Sequence, residues 1–202
     1  SSRIQPGKPG YFLAADFVPV LEIPTVLDRS LGDIHPEGNP HVHLNPHNIL
    51  TIADEFTKRL IRVDGNNKAS YTALNETFTS KWKAAIEKWE QDLSDYKNLS
   101  MVIYHKNFSY LIDWLGINLL GSIELKPGIP PTAAHLEELL GVIRNSNSTP
   151  IIAVTPYDAT KGAEWLSGKV NKPYVTLPYT VGGDEQTKNL FDLFDRTLAL
   201  LK

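Results

Sequence analysis

The sequence contains no cysteine. This absence excludes disulfide bonds, thiolate nucleophiles, iron–sulfur clusters and every zinc site that uses sulfur ligands. The His-Glu-x-x-His pair of zinc peptidases, the Gly-x-Ser-x-Gly motif of hydrolases and the glycine-rich loops that bind nucleotides are also absent. There is no block of like charge, and 20 basic and 23 acidic residues give a net charge of −3. The composition therefore predicts no nucleic-acid partner and no binding to an anionic membrane.

The sequence also lacks an apolar run near the roughly 18 residues that a membrane-spanning helix needs. The chain begins Ser1-Ser2-Arg3-Ile4, without a charged segment followed by an apolar one, so we expect any export signal to have been removed. The 202 residues are 42% hydrophobic and 21% charged, which is close to globular averages. These values predict a folded, soluble protein.

Prolines and histidines are concentrated in residues 1–48, which hold seven of the 14 prolines and four of the six histidines. Proline fixes its own backbone angle and disfavours helix at the preceding residue. We therefore expect an extended or looped segment, with short strands such as residues 17–21 at most. It is expected to supply connections and site residues, and no core.

Helical periodicity begins after this segment, with one apolar stripe over residues 48–63. A second and longer stripe runs over residues 71–93 in steps of three or four and includes Trp82 and Trp89. A helix over residues 68–93 would be about 40 Å long, which is longer than a small domain is wide. It is long enough to join two lobes, with both tryptophans in the core.

After Leu99 short apolar runs alternate with helical patterns. The predicted strands are residues 101–104, 119–125, 151–154 and 174–177, and the predicted helices are residues 109–115, 132–143, 162–168 and 187–201. This alternation is typical of a parallel sheet covered by helices. The sequence therefore predicts the α/β class for residues 99–202.

The densest group of chemically active side chains is the histidine-rich segment, residues 35–47, which contains His35, His41, His43 and His47. In an extended segment, residues two apart point to the same face, so His41 and His43 could bind one metal ion together. The alternative is that loop histidines lie together by chance or cap a helix. Bracketing by prolines favours the metal site.

Further candidates follow the predicted strands. His105 comes directly after residues 101–104, and open α/β sheets form their ligand clefts at the carboxyl ends of strands. Together with the histidine-rich segment it predicts a two-part metal site. Glu124 and Asp184 are candidate oxygen ligands, although a helix cap explains Asp184 better. We expect His135 to be a surface or packing residue.

Two stretches and the long helix between them resemble the cluster A-I substrate-binding proteins, which serve bacterial ABC importers for zinc and manganese and include adhesion-type lipoproteins. Residues 38–46, Gly-Asn-Pro-His-Val-His-Leu-Asn-Pro, are similar to that family's Asp-Pro-His-x-Trp-Leu-Asp-Pro. Residues 102–110, Val-Ile-Tyr-His-Lys-Asn-Phe-Ser-Tyr, are similar to its strand-His-x-x-Phe-x-Tyr block. The resemblance covers essentially the whole chain and implies two α/β lobes, joined by one long helix, with a metal ion held between them.

The resemblance makes His41 and His105 metal ligands, one from each lobe. His43 stands where the family has tryptophan and is an added or alternative ligand. The family's late carboxylate has no counterpart in residues 175–181, so Asp184 is the nearest substitute. A site rich in histidine and poor in carboxylate favours Zn²⁺ over Mn²⁺. The implied function is periplasmic metal capture and delivery to an inner-membrane ABC permease, without enzymatic turnover.

The resemblance also divides the chain into three parts. Residues 1–65 correspond to the remnant of an N-terminal lobe whose larger part, with one more ligand histidine, is missing. Residues 66–98 correspond to the linking helix and residues 99–202 to the C-terminal α/β lobe. Because the remnant would lack its packing partners, we expect a dimer, an exchange of elements between two copies, or mobility of residues 11–63.

Two other functions fit the same residues. A zinc-dependent hydrolase would bind the ion through His41, His43 and His105 and use Glu124 or Asp184 as its base. An α/β interaction domain would carry the histidines incidentally and bind no metal tightly. Because imidazole must be deprotonated to bind a metal, the affinity of a histidine site is expected to fall below about pH 6.

Overall fold

The computed structural model describes residues 4–26, 35–91, 93–148 and 150–202. The helices are α1 (Pro46–Val63), α2 (Lys68–Glu90), α3 (Leu93–Tyr96), α4 (Ser109–Leu115), α5 (Ala133–Asn145), α6 (Lys161–Val170) and α7 (Leu190–Leu200). The strands are β1 (Ser100–Ile103), β2 (Asn118–Ser122), β3 (Pro150–Val154) and β4 (Tyr174–Thr176). No helix in these ranges has the length and apolarity to cross a membrane.

The four strands form one parallel sheet in the order β2-β1-β3-β4. All four residues of β1 are buried, as expected for a parallel strand covered on both faces. Side chains of α2, α4 and α7 pack in one hydrophobic cluster, and those of α5 and α6 pack in the other. The predicted α/β class and the helix-covered parallel sheet are confirmed.

Helix α2 is shorter than predicted. It has 23 residues and ends at Glu90, which gives a length of about 34 Å. Leu93 begins α3, and Asp92 lies outside the described residues. The prediction for the tryptophans is confirmed, since Trp82 and Trp89 are 0% and 5% exposed.

The proline-rich segment contributes to the core, so the prediction that it would not is wrong. Val42 and Leu44 are buried and belong to the same hydrophobic cluster as Trp82. Both lie in a 3-10 turn, Val42–Leu44, that directly precedes α1. The predicted strand at residues 17–21 is absent from this described region. A 3-10 helix, Ala14–Phe17, stands at its start, and Pro19 has no N–H to donate to a sheet.

Helix α1 begins at an Asn45 cap, whose side chain accepts from the backbone N–H of His47, with Pro46 at the first helical position. It packs against α2, yet Phe56 and Val63 on its apolar stripe are 45% and 56% exposed.

The division into lobe remnant, linking helix and C-terminal lobe, and the expected dimer or exchange, stay predictions.

We expect replacement of Trp82 by alanine to lower the free energy of unfolding by about 3–5 kcal/mol, because it leaves a cavity in the core. The change also removes the hydrogen bond from Trp82 Nε1 to the Pro46 carbonyl, 2.8 Å long. Leu74→Ala on the same helix is the control, since Leu74 is 67% exposed and its loss should cost no more than about 0.5 kcal/mol. Urea unfolding of both variants measures the difference, and similar losses would contradict the assignment.

Candidate metal centre

A cavity of about 460 Å³ lies where β1 and β2 end, and His35, His41, His105 and Glu124 are among the residues that line it. His41 precedes the Val42–Leu44 turn, and His105 lies two residues beyond the end of β1. Glu124 lies beside His105, because the backbone N–H of Glu124 donates to the carbonyl of Tyr104, the residue before His105, at 2.9 Å. The fold therefore brings the two halves of the predicted metal site together.

His41 is held at both its backbone and its ring. Its backbone N–H donates to Asn39 Oδ1 at 3.0 Å, and its Nδ1 lies 2.8 Å from the Tyr179 hydroxyl. Its Nε2 is buried and has no hydrogen-bond partner within the described part of the chain. A buried polar atom without a partner is rare in proteins, so this nitrogen is a candidate ligand atom.

Burial lowers the pKa of His41 to about 4, with further lowering from His43, His105 and His35. The ring is therefore neutral at pH 7, which is the protonation state that binds metals. The expected loss of affinity below about pH 6 does not follow from His41, because its own protonation occurs at lower pH.

His105 is oriented by a carboxylate. Its Nδ1 lies 2.5 Å from Glu124 Oε2, and Glu124 Oε1 accepts from the backbone N–H of Gly128 at 2.8 Å. Such a carboxylate bond fixes the ring and leaves Nε2 for a metal ion. The ring centroids of His41 and His105 are 6.1 Å apart. Two imidazoles on one zinc ion would have centroids about 5 Å apart, given Zn–N bonds of about 2.0–2.1 Å.

His35 is the third imidazole at the cavity, with its ring centroid 6.3 Å from that of His41. In the conformation described for residues 4–26, 35–91, 93–148 and 150–202, however, no three His, Asp or Glu side chains are grouped closely enough to hold a metal ion. The cavity thus contains two supported imidazoles and a third nearby, and a bound ion would need a small side-chain movement or further ligands.

His43 is not among the cavity-lining residues. Its Nε2 donates to the backbone carbonyl of Tyr179, 3.0 Å away, and burial lowers its pKa, although this hydrogen bond acts in the opposite direction. The shared face predicted for His41 and His43 assumed an extended chain. That assumption is wrong, because Val42–Leu44 is a 3-10 turn.

The structure does not bring Asp184 to the cavity either. Its Oδ1 accepts from the backbone N–H groups of Gln186 and Thr187, and its Oδ2 lies 3.2 Å from Arg196 Nε. Both oxygens therefore stabilise the loop before α7. The predicted helix cap is also wrong, since Asn189 caps α7.

His135 was expected to be a surface or packing residue, and its position agrees with that expectation. Its Nε2 donates to the Ser122 carbonyl at 2.8 Å. His47 is not among the cavity-lining residues, and its Nε2 lies 2.6 Å from Glu90 Oε1.

Two residues near the site were missed in the sequence. Tyr179 contacts the rings of both His41 and His43, with centroid distances of 5.2 and 5.5 Å. Asp158 accepts from the backbone N–H of Thr155. Burial raises the pKa of Asp158, and Glu124 raises it further, whereas the Thr155 hydrogen bonds and His105 act in the opposite direction. Both follow strands, so the strand-end argument that identified His105 could have found them.

We expect the free energy of unfolding of the metal-free protein to fall as the pH is lowered from about 6.5 to about 4. In this range the unfolded His41, with its ordinary pKa, binds a proton that the folded ring excludes, so acid favours unfolding. The pKa shift of His41 sets an upper limit of about 3 kcal/mol on this loss.

Urea unfolding of the wild type and of His41→Gln at pH 7.5, 5.5 and 4.5 measures the effect. The variant should lose less stability on acidification, and the pH 7.5 value separates this from any general cost of the substitution. Parallel pH profiles of the two proteins would contradict the assignment.

Residues 12–202 match the ZnuA family, described as the periplasmic component A of zinc-uptake complexes. The sequence is 29% identical over 179 residues to the zinc-binding lipoprotein AdcA of Streptococcus pneumoniae, a match that covers 83% of this chain. It is 23% identical over 122 residues to the high-affinity zinc uptake system protein ZnuA of Brucella abortus, covering 60% of this chain. These matches span 34% and 36% of the two relatives, so the chain spans about a third of their length.

A solved structure with a similar fold is that of a Zn(II)-bound AdcAII variant of Streptococcus pneumoniae. Its TM-score is 0.72 at 22% sequence identity, with 94% of this chain and 69% of that chain covered. At this level of identity the likeness establishes the fold.

Proposed function

This chain belongs to the ZnuA family of periplasmic zinc-uptake components, and from that premise we propose that it captures zinc in the periplasm and delivers it to an inner-membrane ABC permease. The observation that carries the proposal is the free, buried Nε2 of His41. This nitrogen belongs to a ring that is neutral at pH 7 and lies beside His105 at one cavity.

His41 and His105 are the proposed zinc ligands in this chain. Protein-bound zinc is usually four-coordinate, so two positions are left for His35, water or groups outside the described residues. Imidazole nitrogen suits zinc, whereas manganese prefers a site richer in oxygen. The ligand set therefore favours Zn²⁺ as the cargo and Mn²⁺ as the weaker competitor.

Each proposed ligand is oriented by a partner on another element. Tyr179, beyond β4, holds the Nδ1 of His41, and Glu124, beyond β2, holds the Nδ1 of His105. Partners of this kind fix the tautomer of a metal-binding histidine and raise its basicity. Because the two ligands come from separate segments, a small separation of those segments would release the ion, as delivery requires.

The alternative of a zinc-dependent hydrolase has no comparable support. Glu124, one proposed base, has both carboxylate oxygens engaged, by His105 and by Gly128. Asp184, the other, is bound by Thr187 and Arg196. Neither carboxylate is placed to activate a metal-bound water, and the two relatives compared in sequence are named for zinc binding or uptake.

We expect the protein to bind one zinc ion, and His41→Ala and His105→Ala each to weaken binding by at least about tenfold through loss of a ligand. His47→Ala is the matched control, because neither His47 nor its partner Glu90 is among the cavity-lining residues, and its loss should leave affinity unchanged. Calorimetric titration with zinc, and with manganese as competitor, measures these affinities.

Each outcome separates the functions considered. No binding, or equal loss in all three variants, would contradict the proposal and favour an interaction domain. Zinc-dependent hydrolysis of ester, phosphoester or amide substrates, abolished by Glu124→Gln, would favour the enzyme.

A further inference from the structure

Asn39 is a buried polar residue, 5% exposed, two positions before His41. Every one of its hydrogen-bonding groups has a partner. Its backbone N–H donates to the Leu21 carbonyl at 2.8 Å, and its backbone carbonyl accepts from the Tyr110 hydroxyl at 2.8 Å. In the side chain, Oδ1 accepts from the His41 N–H at 3.0 Å. Nδ2 donates to Glu22 Oε2 at 2.9 Å and to the Lys106 carbonyl at 2.6 Å.

These bonds link the two segments that carry the proposed ligands. Through Oδ1 the Asn39 side chain holds the backbone of His41, and through Nδ2 it holds the backbone of Lys106, the residue after His105. One amide thus spans the short distance between segments that are far apart in the sequence. Hydrogen bonds of a buried side-chain amide are strong and directional. Losing one of them leaves a buried polar group without a partner, which is costly.

Glu22 also lines the cavity, accepts a hydrogen bond from this amide and has an unusual backbone conformation. Its φ is 56°, in the left-handed region that non-glycine residues rarely occupy. Its carboxylate accepts from Asn39 Nδ2 and from Ser109 Oγ, and it lies 3.5 Å from Lys106 Nζ. Strained backbone conformations persist where surrounding contacts enforce them, and they concentrate at functional sites.

Gly38 allows this close approach. Its φ is 95°, and a Cβ atom there would lie 2.5 Å from Val20 Cγ1 and 2.8 Å from the Leu21 carbonyl. Only glycine therefore lets residues 20–22 pass against residues 38–39.

Burial alone does not explain these contacts. Asn107 is also buried, 8% exposed, and follows His105 by two residues. Its Oδ1, however, has no hydrogen-bond partner in the described part of the chain. Asn107 therefore shares the environment of Asn39 but not its link between the two segments.

We propose that Asn39 is a positioning residue that fixes the separation of His41 and His105, and that Glu22 holds the Asn39 amide in place. The proposal rests on the proposed function, in which both histidines bind one zinc ion. Asn39 itself does not contact the ion. It acts by keeping the two backbones at one spacing, so that binding does not have to order them.

The test is zinc titration of Asn39→Leu, which removes all three side-chain hydrogen bonds of Asn39 at similar side-chain volume and unchanged charge. We expect the dissociation constant to rise about 10- to 100-fold, the range found when groups that orient metal ligands are lost. Asn107→Leu is the matched control and should stay within about twofold of the wild type. Glu22→Gln, a change at a more accessible side chain, should weaken binding in the same direction if Asn39→Leu fails to fold.

A coupling measurement distinguishes positioning from general destabilisation. In the wild type, losing His41 and losing His105 should be strongly non-additive, because both bind one ion. In the Asn39→Leu background this coupling should shrink. Undiminished coupling with wild-type affinity would overturn the proposal.

The metal-free protein gives an independent answer should the wild type fail to bind zinc, a result that would overturn the proposed function alone. In metal-free Asn39→Leu the NMR signals of both the His41 and His105 rings should shift, whereas Asn107→Leu should leave His41 unmoved. Unchanged His105 signals in Asn39→Leu would remove the link that the proposal requires.

Discussion

The position of the histidine-rich segment depends on the burial of Trp82. Its indole is fully enclosed and packs against Trp89, Phe191 and Phe194, while its Nε1 donates to the Pro46 carbonyl at the start of α1. This contact joins the longest helix to the turn that carries Val42 and Leu44 into the same core. His41 stands directly before that turn, so apolar packing beneath it determines where the ring can lie.

That packing has an electrostatic consequence for the cavity. An imidazole removed from water loses the stabilisation of its charged form, and for His41 burial is the largest cause of the lowered pKa. The same burial leaves Nε2 without a hydrogen bond. Burial therefore leaves a neutral ring with an unpaired nitrogen, which is the state that the proposed zinc site requires.

Much of the fold could be predicted from the sequence because it depends on local periodicity. Helix α4 has the predicted bounds, and each predicted strand overlaps an observed one. The order of the strands could not be predicted, since it depends on which crossovers the whole chain permits. That His41 and His105 lie at one cavity could be predicted, because clustered histidines and strand ends are visible in the sequence. Tyr179 also follows a strand, but its contacts are with His41 and His43, which are distant in the sequence.

Two errors at the site have the same physical origin. His43 was paired with His41 on the assumption of an extended backbone, and Asp184 was named as a candidate oxygen ligand, with a cap of the last helix as its alternative. In each case a local turn decided the result, a 3-10 turn at Val42–Leu44 and a hydrogen-bonded loop through Thr187. Composition and spacing do not reveal local turns of this kind.

The strand order also places a topological switch point beside the cavity. From β1 the chain crosses through α4 to β2 on one side, and from the adjacent β3 it crosses through α6 to β4 on the other. Connections that leave neighbouring strands in opposite directions make a topological switch point, with a crevice beyond the carboxyl ends of the two strands. His105 follows β1 and lines the cavity, whereas Asp158 follows β3 and is not among the residues that line it. The cavity therefore extends from β1 toward β2, to one side of the switch point, where Ser122 and Glu124 are among its lining residues.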